Sequence, residues 1–427
     1  MNVNTLFANT LFANTLFVVA LGICIVALVV ASVFFYNTEG FATAPEYKSQ
    51  DAYKKQVKLL SDTYSLLADG KRPVKETDQI FVNFHSLGCR FTGYIGPNET
   101  SYYDPDIAVQ QAVAAGCRVF VLEIDYIPDC DNYYPTLVVR DSKGYRREND
   151  DSRMQLCNSD MYSTIRETCE KINTYAFSSS SQNATDPVVL VLYFLRQPPG
   201  AFNSEPVLKY FSRVATALRP LQDRFLGNEP TGKYYRQQQE SQLLMNRISD
   251  YREKVLVFSN ANTSGFREKP PKASEDLDYL VNLRLSYTQT QLGVTENGSG
   301  STFGILQTVE DYMIIPSDRS DTTINATKLK WTICLAADQF ISVSKENYKK
   351  ITETYGVHCV PILLHDIPAN QYMFADTTFK TYSYIQKPEA LRYTKPAIVV
   401  PAEPSKKIDA KGGSLEVPEV PAAIKSN

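Results

Sequence analysis

Histidine is scarce in this chain: His85, His358 and His365 are the only three in 427 residues. Any imidazole acid–base or metal chemistry must draw on these three. Strong charge of either sign is also lacking, with 44 Lys and Arg against 47 Asp and Glu and a formal net charge of −3. That balance argues against a nucleic-acid partner, and there is no basic stripe with interleaved aromatics. The best local cluster, "KGYRREN" around Arg146 and Arg147, is short and reads as a solvated loop or a contact with anionic lipid. The eight cysteines are Cys24, Cys89, Cys117, Cys130, Cys157, Cys169, Cys334 and Cys359, and none forms a CxxC pair. A long chain with a real core needs no disulfide framework, so they read as single buried thiols; Cys130 and Cys157 would pair only in an oxidising lumen.

Apolar residues, by contrast, make up 43% of the chain, enough for a large core. An uncharged run rich in Val, Leu, Ile, Phe and Ala extends from Leu16 through Val26 to Tyr36. A helix of that length spans a bilayer. It follows a repeat of Asn-Thr-Leu-Phe starting at Asn4, Asn9 and Asn14. A cleaved signal peptide is the competing reading, with Ala42-Thr43-Ala44 as a cleavage site. The run is longer than a usual signal core and no positive charge precedes it, so a retained single-pass anchor is expected. Lys48, Lys54 and Lys55 follow the span, which puts the body on the cytosolic side by the positive-inside rule. Sequons begin at Asn98, Asn183, Asn262, Asn297 and Asn325 and would matter only in a lumen.

The expected organisation is a polar repeat (1–15), a transmembrane helix (16–36), a juxtamembrane linker (37–60), a globular body (61–395) and a disordered Pro/Lys/Glu-rich tail (396–427). Within the body, strand-like runs at 80–84, 118–125, 187–194, 254–259, 339–344 and 358–364 alternate with helix-like segments at 105–115, 152–175, 206–225 and 345–355. The runs are nearly continuous apolar stretches such as "PVVLVLYFL", as in a parallel sheet covered on both faces. A flexible insertion is expected near 262–303, where "GVTENGSGS" occurs.

Three segments carry candidate chemistry. In "FVNFHSLGCRFTG", His85 ends a short apolar run. In "AGCRVFVLEIDY", the two-residue spacing of Glu123 and Asp125 points both carboxylates to one face of a strand. Two carboxylates suit a hard cation such as Ca²⁺, and a nearby His could donate to a phosphoryl oxygen. The bland alternative is a hydrogen-bonded structural His and a carboxylate pair bridged to Arg118 or Arg140. The third segment is "PTLVVRD", containing Val139 and Arg140.

In their order, these segments resemble the catalytic barrel of phosphoinositide-specific phospholipase C. The strand ending at His85, the "GCR" ahead of Glu123 and Asp125, "REKVLVFSN", "YGVHCVPILLH" and "YSYIQKPEALRY" match the family's segments over residues 80–395. The resemblance implies an α/β fold, a (β/α)8 TIM-like barrel. His85 then matches the first catalytic histidine, and Glu123 and Asp125 match two calcium ligands. The family departs at three positions: Ser86 stands where a ligand Asn belongs, Arg140 where the second histidine belongs, and Tyr193 where the last ligand Glu belongs. Ca²⁺ would therefore be held weakly or lost, and hydrolysis impaired or absent. The implied partner is membrane lipid, a phosphoinositide or other phospholipid head group, contacted by Arg140 and Tyr193. The alternative is an active phosphoric diester hydrolase in which His85, Glu123 and Asp125 work with a substitute acid, His365 or Arg140. Asp129 and Asp131 are further candidate metal donors.

Overall fold

The computed structural model describes residues 43–96, 102–126, 133–137, 164–201, 204–227, 232–240, 242–261, 263, 277–287, 303–337, 341–375 and 378–394. Arg140, Asp129, Asp131, Cys130, Cys157, the insertion core, the tail and the apolar run at 16–36 lie outside them. Among the described residues, no helix is long and apolar enough to cross a membrane.

The longest strands follow from composition. β3 (Val119–Tyr126) and β5 (Val188–Phe194) are runs of β-branched and aliphatic residues buried nearly throughout. They pair in parallel from Val119↔Val189 to Ile124↔Phe194. From β5 the parallel sheet continues through β6 (Val255–Ser259), β7 (Leu283–Tyr287), β8 (Phe303–Thr308) and β9 (Thr332–Leu335). On the other side of β3 lie β2 (Gly88–Arg90) and β10 (Ile362–Leu363), again parallel. The two edges then meet. Ile333 bridges Cys359, Cys334 N–H donates to Cys359 O at 2.9 Å, and Cys359 N–H donates to Thr332 O at 3.1 Å. The result is a closed barrel of eight parallel strands, with β4 (Pro135–Leu137) added antiparallel to β3.

Alternation along each strand sorts the core. Val119, Val121, Val189, Val191, Leu256 and Phe258 fill the interior, with the Trp331 ring 4.8 Å from that of Phe258. Phe120, Leu122, Leu190, Leu192 and Val257 face the helices instead. Those helices are α1 (Thr43–Ala68), α2 (Pro105–Ala115), α3 (Thr164–Ala176), α4 (Glu205–Ala217), α5 (Lys233–Gln239), α6 (Leu277–Leu280), α7 (Val309–Met313), α8 (Ser320–Leu329), α9 (Lys345–Lys349) and α10 (Ile367–Ala375). Local chemistry sets their ends. Asp104 caps α2 by accepting from Ile107 N–H, Pro105 follows it, and Gly116 stops the helix at φ 98°.

The structure differs from the sequence expectations in four places. Residues 81–83 form a 3₁₀ turn rather than a strand, and β1 (Phe84–Ser86) pairs antiparallel with β11 (Tyr384–Gln386), outside the barrel. The barrel's first strand is the three-residue β2. The run expected at 339–344 contributes no strand among its described residues, and Thr332–Leu335 takes that role, because it alone reaches both β8 and Cys359. β7 falls inside the expected insertion, so that region supplies part of the barrel wall. Finally, α1 runs from the expected linker into the body and buries Leu60 and Tyr64, whose hydroxyl donates to Leu364 O at 2.8 Å.

Candidate functional site

Parallel strands give the barrel two distinct rims. Gly88 is level with Val119, so Arg90, Glu123 and Asp125 lie toward the C-terminal rim, where active sites of this architecture are built. His85 lies before Gly88, beyond the N-terminal rim. Four residues of strand separate Val119 from Glu123, about 13 Å at the usual rise.

Glu123 and Asp125 are both buried and point inward, as their spacing requires. Each is claimed by a guanidinium. Arg90 Nε donates to Glu123 Oε1 at 2.9 Å, and Phe91 N–H donates to Oε2 at 2.9 Å. Phe91 holds a left-handed φ of 50°, an uncommon conformation for a bulky residue, and directs its N–H at the carboxylate. Arg196 Nε and Nη2 reach Asp125 Oδ1 and Oδ2 at 2.9 and 3.1 Å, a bidentate pair. Tyr126 N–H also donates to Oδ1, and the Arg196 guanidinium carbon sits 4.5 Å from the Tyr126 ring centre. Burial pushes the Glu123 carboxyl up, while Arg90 and the Phe91 N–H oppose that rise.

Tyr193 is in register with Glu123 on the neighbouring strand and packs half-buried against the interior cluster. Beside Glu123, β5 thus brings an aromatic ring to this level of the barrel. His365 follows β10 on the same rim, packed so closely on Gly96 that any side chain there would meet the imidazole. Its Nε2 is buried and has no hydrogen-bond partner among the described residues. Burial lowers its basicity, with Asp366 working in the opposite direction.

His85 does not join this group. Its Nδ1 lies 2.7 Å from Val357 O at the floor of the barrel, and burial and nearby Lys387 pull its imidazole down to about 3. Ser86 is there too, its N–H donating to His358 O at 2.7 Å, so neither residue meets the two carboxylates. The expectation that His85 and Ser86 converge with Glu123 and Asp125 is corrected. The apolar run before His85 is a turn and an extra-barrel strand, and the barrel strand begins three residues later. His358 also lies on the floor. Arg118, an expected partner of the carboxylates, instead donates to Ala176 O and to Asn183 on the outer side, at 2.6 Å each.

A calcium site requires several open oxygens. Here all four carboxylate oxygens already accept from Arg90, Phe91, Arg196 or Tyr126. Among the described residues, no group of three His, Cys, Asp or Glu is placed to hold a metal. Among the described residues, the two carboxylates as built do not fit Ca²⁺, since each is paired with an arginine.

Arg90 and Arg196 are the residues that sequence reading missed. Both follow the same signal, an Arg at or just past the C-terminal end of an apolar or Gly-containing strand ("GCR", "YFLR").

No protein-family model matches the chain, and no curated protein sequence does. Three solved structures follow a similar path. L. pealei PLC21 is 13% identical, with a TM-score of 0.46 over 75% of this chain and 38% of that one. A calcium-dependent phosphoinositol-specific phospholipase C from a Gram-negative Pseudomonas species, in its apo form, is 11% identical, with a TM-score of 0.43 over 75% of this chain and 98% of that one. A Ca²⁺-dependent phosphatidylinositol-specific phospholipase C from Streptomyces antibioticus is 11% identical, with a TM-score of 0.43 over 72% of this chain and 99% of that one. At such identities and scores, the barrel assignment rests on this chain's own strand pairing.

Proposed function

We propose that this chain is a membrane-tethered barrel of the phospholipase C type that engages anionic lipid head groups without hydrolysing them. One observation carries the reading: each carboxylate that would hold a metal is neutralised by its own arginine. The order of sequence segments and the eight-stranded closure support the barrel type. The uncharged run at 16–36 supports the tether, and the part-exposed Arg196 guanidinium offers a cationic group at the rim. A tethered barrel held at a bilayer would meet head groups at high effective concentration.

A second reading has one observation in its favour. The Nε2 of His365, without a hydrogen-bond partner among the described residues, suits an acid in a phosphoric diester hydrolase. The experiment uses the full chain in detergent, with phosphatidylinositol as substrate, in Ca²⁺ and in chelator. Binding to phosphatidylinositol-containing vesicles over phosphatidylcholine vesicles, chelator-insensitive and without release of inositol phosphate, is the expected result. Turnover that disappears in His365→Ala would replace the first reading with the second.

A further inference from the structure

The floor of the barrel holds three titratable side chains that the mouth does not use: His85, His358 and Lys387, all buried. Their hydrogen bonds fix the protons. His358 Nδ1 accepts from Thr332 N–H at 2.9 Å, so that nitrogen carries no hydrogen. Nε2 lies 2.8 Å from Val82 O, an acceptor, so Nε2 carries the ring's proton and the imidazole is neutral. Yet Lys387 Nζ also lies 2.8 Å from Nε2. An ammonium has only hydrogens to present and would oppose N–H to N–H, whereas an uncharged amine has a lone pair that can share the Nε2 hydrogen with Val82 O. Its remaining neighbour, Thr327 O at 3.0 Å, takes one of the amine hydrogens.

Lys387 belongs to the strap that closes the floor. Within it β11 pairs with β1, Lys387 N–H donates to Asn83 O at 2.9 Å, and the Asn83 side chain bonds the Tyr393 backbone both ways, at 3.1 and 2.7 Å. Among the described residues, no carboxylate offsets the burial of the amine. β1 contributes His85, the 3₁₀ turn before it Val82 O, α8 Thr327 O, and the segment entering β10 contributes His358. From the strap itself, Arg392 Nε donates to the Lys387 carbonyl. We propose that Lys387 is an uncharged amine latching the C-terminal strap to the barrel floor, and that its protonation releases the strap. Burial drives the amine well below its ordinary range, in the direction the proposal needs.

The sign follows. A lysine whose basicity is depressed in the closed state gains a proton on opening, so the closed state is favoured as pH rises toward the ordinary lysine range and weakened as pH falls. Between pH 7 and 8 the histidines are deprotonated in the closed strap and mostly so in the open one, so they add little to the change. Lys71, which donates to Phe379 O at the start of the strap and is pulled down to about 8, titrates mainly above that window.

Amide hydrogen exchange of residues 384–387 in the full chain, corrected for intrinsic exchange, reads the opening. The opening constant is expected to fall up to tenfold from pH 7 to pH 8. In Lys387→Met most of that dependence should be lost, leaving the small share of Lys71 and the opened histidines. An opening constant independent of pH in the unaltered chain, or the same slope in Lys387→Met, overturns the proposal. Lysine side-chain ¹⁵N labelling of the unaltered chain supplies a readout that needs no variant. One neutral-amine resonance is expected at pH 7, where Lys71 is mostly ammonium, and ammonium signals alone at that pH overturn the latch.

Discussion

Arg90 and Glu123, 33 positions apart in sequence, meet at 2.9 Å inside the barrel mouth with 5% and 1% of their side chains exposed. A pair this dry is held by geometry, because desolvation works against both charges. It also occupies the Glu123 carboxylate that the sequence offered to a cation.

Removing one partner should therefore hurt more than removing both. Glu123→Gln leaves a buried guanidinium without its counter-charge and is expected to destabilise by about 3–5 kcal/mol. Arg90→Met combined with Glu123→Met should cost clearly less, since no charge is stranded. Denaturant midpoints of the three variants test this, and additive losses would show that the pair does not act as a unit.

The second pair predicts a weaker response. Arg196 is 36% exposed, so water screens part of its attraction to Asp125. Arg196→Gln should cost about 1–2 kcal/mol, chiefly because Asp125 stays buried with fewer donors. Under the proposed function it should also weaken capture by phosphatidylinositol vesicles. Undiminished capture would take Arg196 out of the rim's binding role.

The calcium expectation is tested by ligand linkage. A cation bound only by the folded chain, at a hundred times its dissociation constant, would add about 2.7 kcal/mol of stability and raise the melting temperature. Millimolar Ca²⁺ is expected to leave the melting temperature unchanged, and so is chelator. A Ca²⁺-dependent rise that Glu123→Gln abolishes would mean the arginines give way to metal.

His85 predicts acid sensitivity of the fold. Its imidazole titrates near 3 when folded and near 6.5 when unfolded, so the unfolded chain takes up the extra proton between these values. Stability is complete above about pH 6.5 and falls with acid by up to about 1.4 kcal/mol per pH unit from this residue alone. His358, displaced in the same direction, adds its own share. In His85→Gln the acid limb of the urea midpoint should be shallower by one proton. An unchanged slope would place the acid loss elsewhere.

How far the sequence could be read varied by element. β3, β5 and β6 were legible because each is a continuous apolar run buried on both faces, and the inward pairing of Glu123 with Asp125 followed from their spacing. β2 was not, because "GCR" has no hydrophobic run to announce it and owes its place to neighbours on both sides. The louder run before it drew the strand boundary too early and carried His85 to the wrong rim. β7 was hidden by the polar, Gly-rich stretch that follows it. Arg90 and Arg196 become visible only once the strands close, since their partners lie on other segments.

The shortness of β2 leads to the last prediction. Gly88 faces the interior so tightly that an added Cβ would lie 2.8 Å from both Cys359 Sγ and Val119 Cβ. Neither contact is the far end of a flexible chain: Val119 Cβ is fixed to its strand, and Cys359 sits where the barrel closes. Gly88→Ala should therefore overpack the seam, at about 1–3 kcal/mol. Cys359→Ala removes one of the two clashes, so the double variant should recover part of the loss, by more than the sum of the single effects allows. Strict additivity in denaturant midpoints would mean that the two positions do not press on each other where β2 meets the segment entering β10.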